Sequence, residues 1–180
     1  PWQEGLGLWS DYMAPDSAGA AAPFEFPALR LRGPVALIGV STARPTRPFS
    51  AAGRIGKAQL QRLADMLKET GRRKLFRVLL IHHPPVAGMV SRRKALTDAE
   101  AFGAVIKHCG AELILHGHSH RRSRAEMEGP AAPIPILGVS SATATSERTS
   151  RRAAFRRIRI ELSARGWETR VHDHLLSEQR

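Results

Sequence analysis

The sequence is short of cysteine, of acidic residues and of long apolar runs. Cys109 is the only cysteine in 180 residues, so no internal disulfide can form. A reducing, cytoplasmic setting is the expectation that follows. No segment reaches the roughly 20 apolar residues that a membrane span needs. No charged start, apolar run and small-residue cleavage site marks a secretory leader, and no membrane partner is expected. Sixteen Asp and Glu face 28 Lys and Arg, a formal charge of +12. A field of that sign attracts phosphate-bearing partners, nucleic acid among them. The arginine clusters at 72–73, 92–93, 121–124, 151–152 and 156–157 have no interleaved aromatics to act as a stacking platform. They read first as a solvated surface and second as a nucleic-acid interface.

What is present suits one α/β domain. The apolar share of 42% excludes a disordered chain, and the length is enough for a proper core. Residues 1–33 read as an irregular entry segment, with Trp2, Trp9, Tyr12 and Met13 as anchors and a surface loop from Ala14 to Pro23. The runs P-V-A-L-I-G-V-S (34–41), L-F-R-V-L-L-I (75–81) and E-L-I-L (112–115) have the continuous apolar character of buried strands. Leu60, Leu63, Ala64 and Leu67 form the stripe of a helix over 57–70, and Gly71 sits where a C-cap glycine belongs. A second helix is predicted to start with a capping box, Thr97 and Glu100. It buries Phe102, Val105, Ile106 and Cys109 and stops at Gly110. Further strands are predicted at 133–138, 154–162 and 167–171, with 142–153 as a loop.

Residues 75–115 thus read strand–helix–strand, which makes the two strands parallel. Their C-terminal ends point the same way, and ligands of open α/β sheets gather beyond such ends. I-H-H-P-P (81–85) follows one strand and H-G-H-S-H (116–120) the other, so two groups of imidazoles converge if those strands are neighbours. Neutral imidazole is the commonest ligand of transition metals. Gly117 permits the turn that would aim both His118 and His120 at one region; on an extended strand they would instead face opposite ways and serve two ions, one on each side. Pro84 and Pro85 stiffen the exit and fix the direction of His82.

His82-His83-Pro84 and Gly117-His118-Ser119-His120, each after an apolar strand, resemble the H-x-P and G-H-x-H segments of the calcineurin-like metallophosphoesterases. G-R-I-G-K-A-Q-L-Q-R-L (53–63) is similar to that family's glycine-to-helix segment. The resemblance implies an αββα sandwich of two mixed β-sheets flanked by helices. It implies a site of two divalent ions (Mn, Fe or Zn), with His82 and His118 on one and His120 on the other. The activity implied is hydrolysis of a phosphomonoester or phosphodiester. Two ions about 3.5–4 Å apart clamp the attacking and leaving oxygens and acidify a water.

The family's earlier motifs, D-x-H, G-D and G-N-H-D or G-N-H-E, do not occur here. The chain begins Pro-Trp-Gln, about where sequence after G-N-H-D would start. The expectation is therefore a single partial domain over 1–180, missing its N-terminal strands: entry segment 1–33, α/β portion 34–141, terminal strands 154–174. Half a metal site would remain, with no nameable catalytic residue and little hydrolysis by the chain alone. A preceding segment or another chain would complete it.

His83 either tunes a ligand from behind or faces solvent. His116 either touches substrate or serves the fold, and the latter is the commoner role of a lone strand-end histidine. Arg92, Arg93 and Lys94, in the 83–96 loop, and Arg121 and Arg122 could hold a substrate phosphate or be ordinary solvated charges, the commoner role. His172 and His174 flank Asp173, a spacing that could bind a metal on one face of a strand but reads first as a frayed polar tail. His108 is read as exposed. The rival reading of the whole chain is a non-catalytic basic module for nucleic acid or phosphorylated partners.

Overall fold

The computed structural model describes residues 16, 25–145, 148 and 150–176. The anchors and loop expected within 1–24 lie outside this range, apart from Asp16. The chain forms β1 (Ala28–Arg32), β2 (Val35–Val40), α1 (Lys57–Arg72) and β3 (Phe76–Ile81). A 3₁₀ turn (Arg92–Lys94), α2 (Ala99–Cys109) and β4 (Leu113–His116) follow. Then come β5 (Ser123–Met127), β6 (Ile134–Gly138), β7 (Ala154–Ser163) and β8 (Gly166–Leu175).

Six strands make a mixed sheet in the order β1-β2-β3-β4-β6-β5, and β7 and β8 pair as a separate antiparallel ribbon. β2, β3, β4 and β6 are parallel, and the edges β1 and β5 run antiparallel to them. The period of two explains the layering. Ile38, Val40, Leu79, Ile81, Ile114 and Ile136 face one way and pack on Leu60, Leu63 and Leu67 of α1 and Phe102 and Ile106 of α2. Burying each such side chain contributes about 1.5–3 kcal/mol. Phe76, Val78, Leu113 and Leu137 belong to the opposite core, packed with Ile158, Ile160, Trp167 and Val171 of the ribbon. Phe76 and Trp167 meet edge to face at 5.4 Å between centroids. The expected second sheet is, among the described residues, this two-stranded ribbon.

Several local expectations change. Residues 28–32 are a strand, inside what the sequence suggested was irregular. Gly71 lies within α1, and a Cβ there would stand 2.9 Å from Arg77 Nη1. The glycine makes room for a guanidinium rather than ending a helix. The capping box does not form, because α2 starts after Asp98. Thr97 Oγ1 donates instead to the Gly53 carbonyl (2.9 Å). The Asp98 carboxylate accepts from the backbone N–H of Ile55 and Gly56, at the entrance to α1. His172 and His174 belong to the ten-residue strand β8, not to a frayed tail. Asp173 pairs there with Arg156 of β7.

Candidate functional site

The register of β3 and β4 sets the site. Val78 to Ile81 pair with Leu113 to His116, so both strands end level and His82 leaves beside the 116–120 turn. His118 Nδ1 and His82 Nε2 stand 3.1 Å apart, a distance at which one ring donates to the other. The Gly117 N–H donates to the His82 carbonyl (3.1 Å), fastening the two exits together.

The turn itself is made differently from the sequence reading. The left-handed residues are His118 (φ 61°) and His120 (φ 49°), and Gly117 is not among the positive-φ positions. Each of those two bears a Cβ cost that glycine would escape, and such strain gathers at functional sites. His118 Nε2 and Ser119 Oγ are buried and make no hydrogen bond. Burial, then the charges of His83, His82 and Lys94, push the His118 pKa down to about 4, partly offset by the nearby Lys94 backbone. Burial, with His83, His120 and His116 nearby, lowers that of His82 as well. At neutral pH both rings are uncharged and keep a lone pair.

His83 and His116 are held by the protein. His83 is buried, with Thr42 Oγ1 2.7 Å from Nδ1 and the Ala51 carbonyl 2.9 Å from Nε2. Gly53 leaves space for the ring, since a Cβ there would come within 2.4 Å of Nδ1. With both nitrogens occupied, His83 has no lone pair to spare. Its ring lies 4.3 Å from that of His118 and fixes one side of it. His116 is buried, with Ser123 Oγ 3.2 Å from Nε2, and a Cβ on Gly138 would collide with its ring. Desolvation lowers its pKa. Thr42, Ala51 and Ser123 escaped the sequence reading, and Gly53 entered it only as the start of the 53–63 segment. Only Thr42, just past the end of β2, stands where strand-end logic places ligand contacts.

A groove of about 840 Å³ opens beside the pair, lined among others by Lys94, His118, Ser119, His120, Arg121 and Arg151. His120 is exposed and makes no hydrogen bond or ring contact with His82 or His118. Arg121 donates to the Met89 carbonyl (2.7 Å). Arg92 and Arg93 are exposed and do not line the groove, whereas Lys94 does and Arg151 joins it. His108 is exposed, as its helix position suggested.

The loop before α2 is sewn to the segment before α1. Ala51 N–H donates to Arg93 O (2.8 Å), Gly53 N–H to Ala95 O (3.0 Å) and Thr97 N–H to Gly53 O (2.9 Å).

Whether a metal suits these residues turns on donor spacing. Two nitrogens each about 2.0–2.1 Å from one tetrahedral ion stand roughly 3.3 Å apart. The 3.1 Å gap between His82 Nε2 and His118 Nδ1 is close to that bite, and an ion would take the place of the proton now held between them. A complete centre is not met. Among the described residues, no group of three or more His, Cys, Asp or Glu is placed to hold an ion. No described helix is long and apolar enough to cross a membrane.

No family model matches this chain. No curated protein matches it either. Among solved structures, the crystal structure of a dimetal phosphatase from Danio rerio is similar at 20% identity and a TM-score of 0.42. That likeness covers 49% of this chain and 28% of the phosphatase, so the chain spans little more than a quarter of it. An overlap this loose carries no argument about chemistry. The fold that stands is a mixed α/β arrangement with few helices around a central mixed sheet.

Proposed function

We propose that the strand-end crevice is the imidazole half of a divalent-metal site in a metal-dependent phosphohydrolase of the metallophosphoesterase type. The observation that carries this reading is the 3.1 Å approach of His82 and His118, both neutral, at the mouth of two parallel strands. His82 and His118 would hold one ion and His120 another. The remaining donors would come from outside the described residues or from a second chain. When bound, divalent ions would acidify a water and offset negative charge at phosphorus. The protein's own part is orientation. The bonds of His83 with Thr42 Oγ1 and to the Ala51 carbonyl lock its ring, and that ring limits how His118 can turn. Lys94 and Arg151 line the groove and would draw a phosphate ester toward it.

Calorimetric titration of the purified chain with Zn²⁺ or Mn²⁺ tests the reading. Weak uptake is expected, reduced about tenfold or more in His118→Asn, a residue that tolerates the left-handed backbone. Uptake unchanged in both His118→Asn and His82→Ala would end the proposal. Hydrolysis of a nitrophenyl phosphodiester by the chain alone should stay near background. Rapid turnover would show that the site is already complete.

A further inference from the structure

We propose that the outer face of the β7–β8 ribbon binds single-stranded nucleic acid, its arginines on the phosphates and the Phe155–His174 pair under a base. The inference is independent of the histidine crevice. The ribbon's inner face is apolar and committed to the core through Ile158, Ile160, Trp167 and Val171. The alternation of a strand therefore turns Phe155, Arg157 and Arg159 outward from β7. Their direct cross-strand partners are His174, His172 and Arg170 of β8.

Pairing does what the linear sequence does not. Along the chain the arginine clusters lack aromatic neighbours, but across the ladder a ring stack closes one end of a basic patch. Phe155 and His174 lie parallel, 7° apart with centroids at 4.7 Å, and Phe155 is 48% exposed. Next to them a cleft of about 410 Å³ is lined by Arg157, Arg159, Arg170, His172 and Ile158.

Two like charges meet in this cleft, while the next outward rung holds Glu161 opposite Glu168. Arg159 faces Arg170 directly, and like charges placed so destabilise a strand pair. Arg159 has Glu161 at 2.8 Å, whereas Arg157 and Arg170 form no ion pair among the described residues. A polyanion is the chemistry that would turn this repulsion into attraction. A duplex offers no bare base to the ring stack, while a single strand offers both a phosphate backbone and unpaired bases. An anionic membrane is the poorer occupant. Phe155 is the sole apolar side chain among the outward residues 155, 157, 159, 161, 168, 170, 172 and 174, too little for interfacial insertion.

Fluorescence anisotropy of the whole 180-residue chain with labelled oligo-dT or oligo-rU, at low salt, tests this. Binding is expected, with log K falling against log salt at about −0.7 per phosphate contacted. The double variant Arg157→Gln/Arg170→Gln should lose about tenfold or more in affinity and flatten the salt slope. Phe155→Ala should lose about fivefold or more. A control of equal charge, Lys57→Gln/Lys68→Gln on the exposed side of α1, should change affinity by about twofold at most. The arginine double variant should also melt no lower than the parent, since it relieves the facing charges. No binding, equal losses in both double variants, a lower melting point, or binding to anionic vesicles without binding to oligonucleotide would each overturn the proposal.

Discussion

The two ends of the β3–β4 pair carry polar groups of opposite character. At the N-terminal end, Arg77 is satisfied by Glu112 together with two backbone carbonyls. Glu112 accepts from Arg77 Nε (2.9 Å), Nη2 (2.6 Å) and backbone N–H (2.6 Å). The remaining Nη1 reaches the carbonyls of Leu67 in α1 and Cys109 in α2. At the C-terminal end, a few residues along the same strands, His118 keeps an unpartnered buried nitrogen on a left-handed backbone. One end closes its polar chemistry into stability. The other leaves donors open, which is what a ligand site requires and what a purely structural turn avoids.

Breaking the closed end should have the largest effect. Glu112→Ala strands a guanidinium that is 11% exposed, and loss of one partner of a buried pair costs about 3 kcal/mol or more. Denaturant unfolding should show the midpoint drop, with Arg77→Ala comparable. At the open end the sign reverses. His118→Gly relieves the positive-φ cost and should raise stability by about 1 kcal/mol while abolishing metal uptake. A loss of stability instead would mean that the turn is structural. The smallest effect lies away from both ends. Asp173 has its pKa lowered chiefly by the hydrogen bond from Arg156. The folded state therefore holds fewer protons than the unfolded chain near the ordinary carboxylate pKa. Its contribution is present above about pH 4 and fades as pH falls through the depressed folded value. Asp173→Asn keeps a neutral acceptor for the Arg156 guanidinium, which is 7% exposed, and should cost about 1 kcal/mol near neutrality, and the variant's melting point should vary less on acidification.

The strand–helix–strand unit was legible because its signals are local: continuous apolar runs, a stripe at helical spacing, a glycine stop at Gly110. The convergence of His82 with the 116–120 turn was legible on the condition that the two strands are neighbours, since parallel strands joined by a helix point their C-terminal ends the same way. What was missed depends on partners distant in sequence. β5 reads S-R-A-E-M, an edge strand too polar to announce itself. Thr97 and Asp98 looked like the start of a capping motif, but their side chains serve Gly53, Ile55 and Gly56. Gly71 looked like a terminator, and its real neighbour, Arg77, is spatial. The charged ends of β7 and β8 read as separate arginine and histidine clusters until the register joined them.

The stitching of residues 51–56 to 93–98 decides how the basic loop can behave. A free flap would swing over the groove on its own hinge. Here Lys94 rides on a segment whose backbone is bonded to Ala51 and Gly53, the residues that also receive the His83 ring. Any excursion of that loop must unseat His83 and loosen the entrance to α1. Amide exchange at Ala51, Gly53 and Thr97 should therefore slow and quicken together, as one opening event rather than three.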